Sequence, residues 1–138
     1  MTFDVERSVG FLLAKAYQHV VSLCKEEFAF YEITPPQFIL LAYLWKLDSV
    51  SQAELSETAQ IDRTTIVGIV DRLAERGLVE RQPHPEDRRV HLVILTARGW
   101  ELEKELCMAA ARVRNKITAR ILPGEYKTLL RLLERLRE

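Results

Sequence analysis

The sequence predicts a mainly α-helical chain with one small β-hairpin, an α+β fold. Two helix starts carry capping sequences, at residues 34–37 and 51–54, and apolar residues recur at three- and four-residue spacing along much of the chain. Two short β-prone runs, residues 78–82 and 90–95, flank a polar stretch that contains two prolines, which is typical of a hairpin with a long tip. A length of 138 residues is enough to bury a hydrophobic core.

The first two helices are indicated by apolar spacing and by a capping box. The spacing predicts a long helix over residues 4–28. Thr34 and Gln37 then form a capping box around Pro35, which suits a first helical position. The second helix is expected to end near Leu47.

A short helix and a longer one follow closely. The second capping sequence predicts a helix over residues 51–60, and a tight connection through Ile61 leads to the next. Asp62 can cap a helix over residues 62–76, and Gly77 provides its C-terminal glycine.

The C-terminal part is predicted to be helical as well. Thr96 can cap a long helix that runs to about Ile121, and Pro123-Gly124 interrupts it before a last, leucine-rich helix. The chain contains no repeat, linker or low-complexity tract, so we expect a single domain over residues 1–138.

The charge is balanced overall but unevenly distributed. Lys and Arg number 20 against 20 Asp and Glu, and the net charge is −2 over residues 1–50, −2 over 51–96 and +4 over 97–138. In the middle block every base is an arginine: Arg63, Arg72, Arg76, Arg81, Arg88 and Arg89. Arginine suits phosphates and guanine edges, but six surface arginines paired with neighbouring acids fit the composition equally well. Zero net charge excludes a polycationic DNA-binding protein and predicts release of DNA as salt rises.

The two central helices and the hairpin form a winged helix-turn-helix pattern. In such a domain the second helix enters the major groove while the first braces it. At about 100° per residue, this helix has one apolar and one polar face. The apolar face consists of Ile66, Ile69, Val70 and Leu73. The polar face consists of Thr64, Thr65, Gly68, Asp71, Arg72 and Glu75.

Several residues of the polar face are candidates for DNA contact. Arg63 lies in the first turn, where both backbone amides and an arginine can meet a phosphate. Gly68 costs about 1 kcal/mol relative to alanine inside a helix, which either close approach to DNA or close packing against another element would explain. Asp71 and Glu75 would repel phosphate unless a base such as Arg72 pairs with them.

The hairpin tip carries Arg88 and Arg89 on a protruding loop. An arginine at the end of a thin β-arm can enter a narrow minor groove, where negative potential is concentrated. The alternative is that these arginines lie on a solvated turn without a partner. The sequence of the tip, taken alone, favours this alternative.

Four stretches are similar to the MarR family of bacterial and archaeal transcriptional regulators. Residues 61–81 resemble its recognition helix and first wing strand, and residues 33–38 resemble the start of its second helix. Residues 85–89 followed by 95–99 resemble its wing signature, D-x-R and then L-T-x-x-G. The similarity spans nearly the whole chain, in the expected order.

The resemblance implies a homodimeric regulator that binds a pseudo-palindromic operator in double-stranded DNA. The composition, without a signal-peptide pattern or membrane-spanning run, separately predicts a cytoplasmic protein. Residues 34–96 would form the winged helix-turn-helix, and helices within residues 4–28 and 97–138 would interlock with those of a second copy. The resemblance further implies a repressor that a small ligand releases. A helical module that uses the winged domain for protein contacts remains the alternative, motivated by the non-basic middle block.

The resemblance also assigns roles in the wing and in the recognition helix. Arg89 would enter the minor groove, Asp87 would hold the tip, and Asp62 is a candidate to steady Arg89 across the hairpin. The family often carries Thr-Arg in the exposed middle of the recognition helix, where this chain has Val67-Gly68. The favoured helix contacts are therefore Arg63, Thr64, Thr65 and Arg72.

A small, often phenolic or otherwise aromatic effector is a further implication of the resemblance. It would bind between the dimerisation helices and the winged domain. The candidate lining residues are Phe11, Tyr17, His19, Phe28, Phe30, Tyr31, Phe38 and Trp45. Core packing or dimer contact is the alternative for each of them.

The sequence gives little support for a secreted protein, a membrane protein, an enzyme or a metalloprotein. There is no signal-peptide pattern, no apolar run of membrane-spanning length, and no glycine-rich phosphate loop, G-x-S-x-G or H-E-x-x-H motif. We therefore expect neither an enzyme nor a membrane protein. His and Cys residues lack metal-ligand spacing, so no metal or cofactor is predicted. Cys24 does not match the sensor position of peroxide-sensing relatives, and we expect both Cys24 and Cys107 to be buried, inert thiols.

Overall fold

The computed structural model describes residues 2–138 as seven α-helices and three short β-strands. The elements are α1 (Val9–Phe28), α2 (Pro35–Leu47), β1 (Ser49–Ser51), α3 (Gln52–Ala59), α4 (Arg63–Glu75), β2 (Val79–Pro83), β3 (His91–Leu95), α5 (Ala97–Glu101), α6 (Glu103–Thr118) and α7 (Pro123–Leu136). The mainly helical fold with a small β-wing is as predicted. The chain divides into two compact units: a winged unit, Phe28–Cys107, and a terminal unit that contains the chain before and after it.

The first predicted helix is shorter than expected. Val5–Arg7 form a 3-10 turn, and the α-helix begins only at Val9. A second 3-10 turn, Ala29–Tyr31, follows α1, and Glu32 then takes a left-handed φ of 55°. Each turn is only three residues long, which is too short for the spacing of apolar residues to distinguish it from an α-helix.

The capping box of α2 is confirmed in both directions. The hydroxyl of Thr34 accepts a hydrogen bond from the Gln37 amide at 3.2 Å, and the Gln37 side chain accepts one from the Thr34 amide at 3.1 Å. Pro35 occupies the first turn, where no amide donor is needed. Behind this start, Leu40 and Leu44 are fully buried in the core of the winged unit.

The caps of α3 and α4 follow the sequence closely. Ser51 accepts a hydrogen bond from the Glu54 amide at 3.1 Å, which is one half of the predicted capping box. Asp62 caps α4 by accepting from the Thr65 amide at 3.1 Å. Gly77 ends this segment with a φ of 72°, the left-handed conformation that glycine adopts at little cost.

The sheet contains one strand more than the sequence predicts. Strand β3 pairs antiparallel with β2 in the hairpin and also with β1, so the order is β1-β3-β2. Val50 of β1 lies opposite Val93 of β3, and both side chains are buried. The three-residue strand is too short to show an alternating pattern, and its partner lies more than forty residues away.

The long helix predicted after Thr96 is in fact two helices. Thr96 does cap α5, because its hydroxyl accepts from the Gly99 amide at 3.2 Å and donates to the Gly77 carbonyl at 2.5 Å. These bonds hold α5 against the end of the hairpin. The helix is interrupted at Leu102, and α6 begins one residue later.

The terminal unit carries a strongly amphipathic last helix. Within this unit Glu27 forms ion pairs with Arg112 at 2.7 Å and Lys116 at 2.9 Å, and the Arg112 hydrogen bond contributes most to lowering the pKa of Glu27. The leucines of α7 are between about a third and two thirds exposed: Leu129, Leu130, Leu132, Leu133 and Leu136. Such an apolar helix face is typical of an interface. No helix within residues 2–138 is long and apolar enough to cross a membrane.

Candidate nucleic-acid interface

The outward face of α4 presents the polar residues that the sequence indicates. Ile66, Ile69, Val70 and Leu73 are buried, as the helical spacing predicts. Arg63, Thr64 and Arg72 are exposed on the other side of the helix. The first turn of α4 therefore offers Arg63 and the Thr64 hydroxyl to solvent, beside backbone amides that an anion can approach, whereas the Thr65 hydroxyl donates to Asp62.

Asp62 is fully engaged with the start of α4. Its carboxylate accepts from the Thr65 hydroxyl at 2.6 Å and from the Thr65 amide at 3.1 Å. These bonds, the hydroxyl first, lower the pKa of Asp62. The expected contact between Asp62 and Arg89 is not formed in the part of the chain that the structure describes, because the capping bonds turn the carboxylate toward Thr65.

Arg89 instead pairs with Asp87 within the wing. The Arg89 Nε lies 3.2 Å from Asp87 Oδ1, and its backbone amide donates to the same oxygen at 3.1 Å. The Arg89 side chain is the main cause of the lowered pKa of Asp87. Asp87 thus shapes the turn, while the Arg89 side chain remains 91% exposed. Arg88 is also exposed at the tip.

A cleft of about 260 Å³ joins the wing to the helix-turn-helix. It is lined by Gln52, Ala53, Arg63, Val67, Arg89, Val90 and His91. The cleft brings Arg63 of α4 and Arg89 of the wing to one hollow, although 26 residues separate them in sequence. Two arginines that line one cleft are suited to a phosphate backbone that passes between helix and wing.

Gly68 makes no close packing contact with another element among residues 2–138. An added Cβ at this position would meet nothing within 4 Å outside the helix backbone. Close packing against another element of the chain therefore does not account for this glycine. The neighbouring Val67 side chain is 39% exposed, so the middle of α4 is an open and uncharged surface.

Two arginines of the middle block have structural partners. Arg76 donates from Nη1 to the Glu32 carbonyl at 2.6 Å and from Nη2 to the Tyr31 carbonyl at 2.7 Å, and so fastens the end of α4 to the turn after α1. Arg81 Nη2 lies 2.7 Å from Asp71 Oδ1. Arg81 is therefore the base that pairs with this acid on the surface of α4. Arg81 is not among the predicted site residues, because its only signal in the sequence is membership of the block of arginines.

The candidate effector residues are divided between the two units. In the winged unit the buried Phe28 stacks on Phe38 with ring centroids 4.8 Å apart, and Phe38 meets Trp45 edge-on at 6.0 Å. Tyr31 meets the exposed Phe30 edge-on at 5.1 Å. In the terminal unit Phe11 is half-buried, with the Lys15 ammonium 5.4 Å from its ring centroid. Tyr17 and His19 are exposed on α1.

The cysteines differ from expectation in one respect. Cys24 is partly buried, but Cys107 is exposed on α6 rather than buried. Loss of hydration raises the pKa of both thiols, and nearby Glu103 adds to the shift at Cys107. Both therefore remain thiols near neutral pH. No group of three metal-ligating side chains occurs among residues 2–138.

The fold and the arginine-lined face of α4 and wing define a winged helix-turn-helix DNA-binding protein. The MarR family model matches residues 33–91, and the chain belongs to the MarR family of transcriptional regulators. It is 35% identical over 134 residues to the HTH-type transcriptional repressor NicR of Pseudomonas putida, a match that covers 97% of this chain and 85% of that protein.

Two solved structures have nearly the same fold. BpsR of Bordetella bronchiseptica, whose DNA binding is regulated by 6-hydroxynicotinic acid, superposes with a TM-score of 0.94 at 28% identity, covering 100% of this chain and 99% of that chain. A MarR variant of E. coli bound to operator DNA superposes with a TM-score of 0.89 at 27% identity, covering 97% and 99%. The chain is a DNA-binding transcriptional regulator, and this function is supported over a module for protein contacts alone.

Proposed function

We propose that this chain is a homodimeric repressor that binds a pseudo-palindromic operator and leaves it when an aromatic ligand binds. Helix α4 would enter the major groove, and Arg89 would enter the adjacent minor groove. The observation that carries the proposal is the cleft lined by both Arg63 and Arg89, since a DNA backbone lies between the two grooves. Because transcription takes place on the chromosome, we place the protein in the bacterial or archaeal cytoplasm.

Dimerisation is supported by the terminal unit. Five leucines of α7 and the apolar side chains Val9, Leu12 and Leu13 of α1 are substantially exposed in one chain. A second copy would cover these faces in a two-fold symmetric interface, in which both copies use the same surface. Two winged units would then contact two half-sites about one helical turn apart.

The chemistry of the effector is supported by the relatives and by the aromatic residues. Regulation of BpsR by 6-hydroxynicotinic acid makes a small hydroxylated aromatic acid the first candidate class. Of the predicted lining residues in the winged unit, Phe28 is buried in the core and Trp45 donates to the Gly99 carbonyl at 3.0 Å. Phe30 is 87% exposed, so the partly buried Tyr31 and Phe38 are the better candidates there. Phe11, Tyr17 and His19 are the candidates in the terminal unit.

Selection of bound DNA from a random pool tests the proposal most directly. We expect an enriched inverted repeat whose half-site spacing matches one or two turns of B-DNA. Affinity should fall steeply as salt rises, because phosphate contacts release counterions. No enrichment at low salt, or an affinity independent of salt, would contradict the proposal.

The ligand response and the sign of regulation need separate measurements. The selected operator, labelled and bound, should be released on titration with 6-hydroxynicotinic acid, while benzene or plain nicotinamide serves as a control that lacks the hydroxyl and carboxylate. A reporter gene behind the selected operator should be repressed by the protein. Activation of the reporter would exclude the repressor assignment but leave operator binding intact.

A further inference from the structure

One side chain of the wing connects the parts of the winged unit that would meet DNA. Arg81 lies on β2, and its Nε donates to Gln52 Oε1 at the start of α3 at 2.6 Å. Its Nη2 donates to the Val67 carbonyl in the middle of α4 at 3.2 Å and pairs with Asp71 Oδ1 at 2.7 Å. A single guanidinium therefore joins β2, α3 and α4.

The planar guanidinium of arginine suits these three acceptors, because Nε meets one and Nη2 meets the other two. Its planar group carries five N–H donors in a fixed arrangement, whereas the ammonium of lysine is a single point charge. The Arg81 side chain is 25% exposed, and its donors are directed at groups of the protein. This differs from Arg89, which is 91% exposed at the wing.

The same contact changes the charge of the recognition helix. Asp71 lies on the outward face of α4, and its side chain is 52% exposed. An unpaired carboxylate there would face the phosphates of a bound duplex. Pairing with Arg81 neutralises it at the surface.

We propose that Arg81 is a positioning residue for DNA recognition. It fixes the angle of α4 relative to α3 and β2, and it neutralises Asp71 without itself contacting DNA. This inference rests on the proposed DNA-binding function. It predicts that removal of the Arg81 guanidinium disturbs the base contacts of α4 more than the phosphate contacts of the domain.

The test compares Arg81→Met, Asp71→Asn and the double variant in the full-length dimer. Met keeps the aliphatic stem but removes the guanidinium. Arg81→Met should bind the selected operator at least about tenfold more weakly, while its affinity for random-sequence DNA changes less than about threefold, because the base contacts carry the sequence preference. Asp71→Asn added to Arg81→Met should recover about threefold or more of the missing affinity.

Arg63→Ala is the matched control, since removing a phosphate-binding arginine from α4 should weaken binding to all sequences alike. If Arg81→Met weakens operator and random DNA equally, as that control is expected to do, Arg81 contacts DNA and the inference is wrong. Additive effects of Arg81→Met and Asp71→Asn would overturn it as well.

Amide exchange in the absence of DNA separates this inference from the proposed function. If wild-type protein selects no DNA, the proposed function fails, but exchange still reports whether Arg81 holds α4. Amides of α4 should exchange faster in Arg81→Met than in wild type, with α7 unchanged. Unchanged exchange throughout α4 would refute the positioning role.

Discussion

Replacing Gly68 with alanine separates the stability of the recognition helix from its approach to DNA. Gly68 is an interior residue of α4, and an added Cβ would meet nothing within 4 Å. The new methyl group therefore fits the free protein without strain. Alanine is favoured over glycine inside a helix by about 1 kcal/mol, so Gly68→Ala should stabilise the winged unit by about that amount.

The gain in stability should come with weaker binding to DNA. If α4 lies in the major groove with Gly68 against a base edge or a sugar-phosphate strand, the methyl group occupies space that DNA needs. We expect operator affinity to fall at least about tenfold, which corresponds to about 1.4 kcal/mol. The melting temperature should meanwhile rise by roughly 4 °C for a chain of this size.

Both quantities can be measured on one preparation. Thermal melts are compared at equal protein concentration, because dimerisation makes the transition concentration-dependent. Fluorescence anisotropy with the selected operator gives the affinity. Gly10→Ala is the matched control, since an added Cβ there also meets nothing within 4 Å and Gly10 lies in α1, outside the winged unit. Higher stability with unchanged operator affinity would refute close approach of Gly68 to DNA.

Three further predictions concern the wing, the end of the hairpin and the cap of α4. Arg89→Ala should weaken operator binding by roughly ten- to hundredfold while the dimer persists in size-exclusion chromatography. Gly99→Ala should destabilise the winged unit by about 2 kcal/mol or more in urea unfolding, because its Cβ would overlap the Leu78 carbonyl oxygen. Asp62→Asn should keep the cap of α4, because asparagine also caps helices, but it removes the titratable carboxylate. The pKa of Asp62 is lowered by Thr65, so its stabilising effect is present above the ordinary aspartate pKa and is lost as pH falls through the lower folded value. The melting temperature of wild type should therefore fall relative to that of Asp62→Asn between about pH 5 and pH 3.

Each of these predictions has an outcome that contradicts it. Arg88→Ala removes the same charge from the same tip, so an equal effect of Arg88→Ala and Arg89→Ala would mean that only bulk charge matters. Wild-type stability of Gly99→Ala would show that the Leu78 carbonyl moves freely. Parallel melting curves of wild type and Asp62→Asn across this pH range would show that the cap does not depend on the charge of Asp62.

The parts of the fold that sequence reasoning found are those specified by near neighbours. The capping box of Thr34 and Gln37, the Asp62 cap and the left-handed Gly77 all involve residues within a few positions of each other. The buried face of α4 follows from helical spacing in the same way. Such features are visible as spacings, because a helix brings residues three and four apart onto one side.

The features that sequence reasoning missed depend on distant partners. Strand β1 forms only because Val50 lies opposite Val93. Thr96 bonds to the Gly77 carbonyl and holds α5 at the start of the hairpin, and the predicted long helix is interrupted at Leu102. The 3-10 turn at Val5–Arg7 was missed for a different, local reason, since a 3-10 turn and a helix start have similar local sequences.

The sequence by itself determined the family, most of the helices with the caps of α2 and α4, and a middle block whose bases are all arginines. Tertiary structure decided what each arginine does: Arg76 fastens α4 to a preceding turn, Arg81 holds Asp71, and Arg89 pairs with Asp87 while remaining exposed. All three arginines lie in the same middle block, and composition does not distinguish them. The partners of Arg76 and Arg81 depend on how α4 packs in the winged unit, which local spacing does not encode. Arg89 differs from them, because its partner Asp87 lies only two residues away in the wing turn.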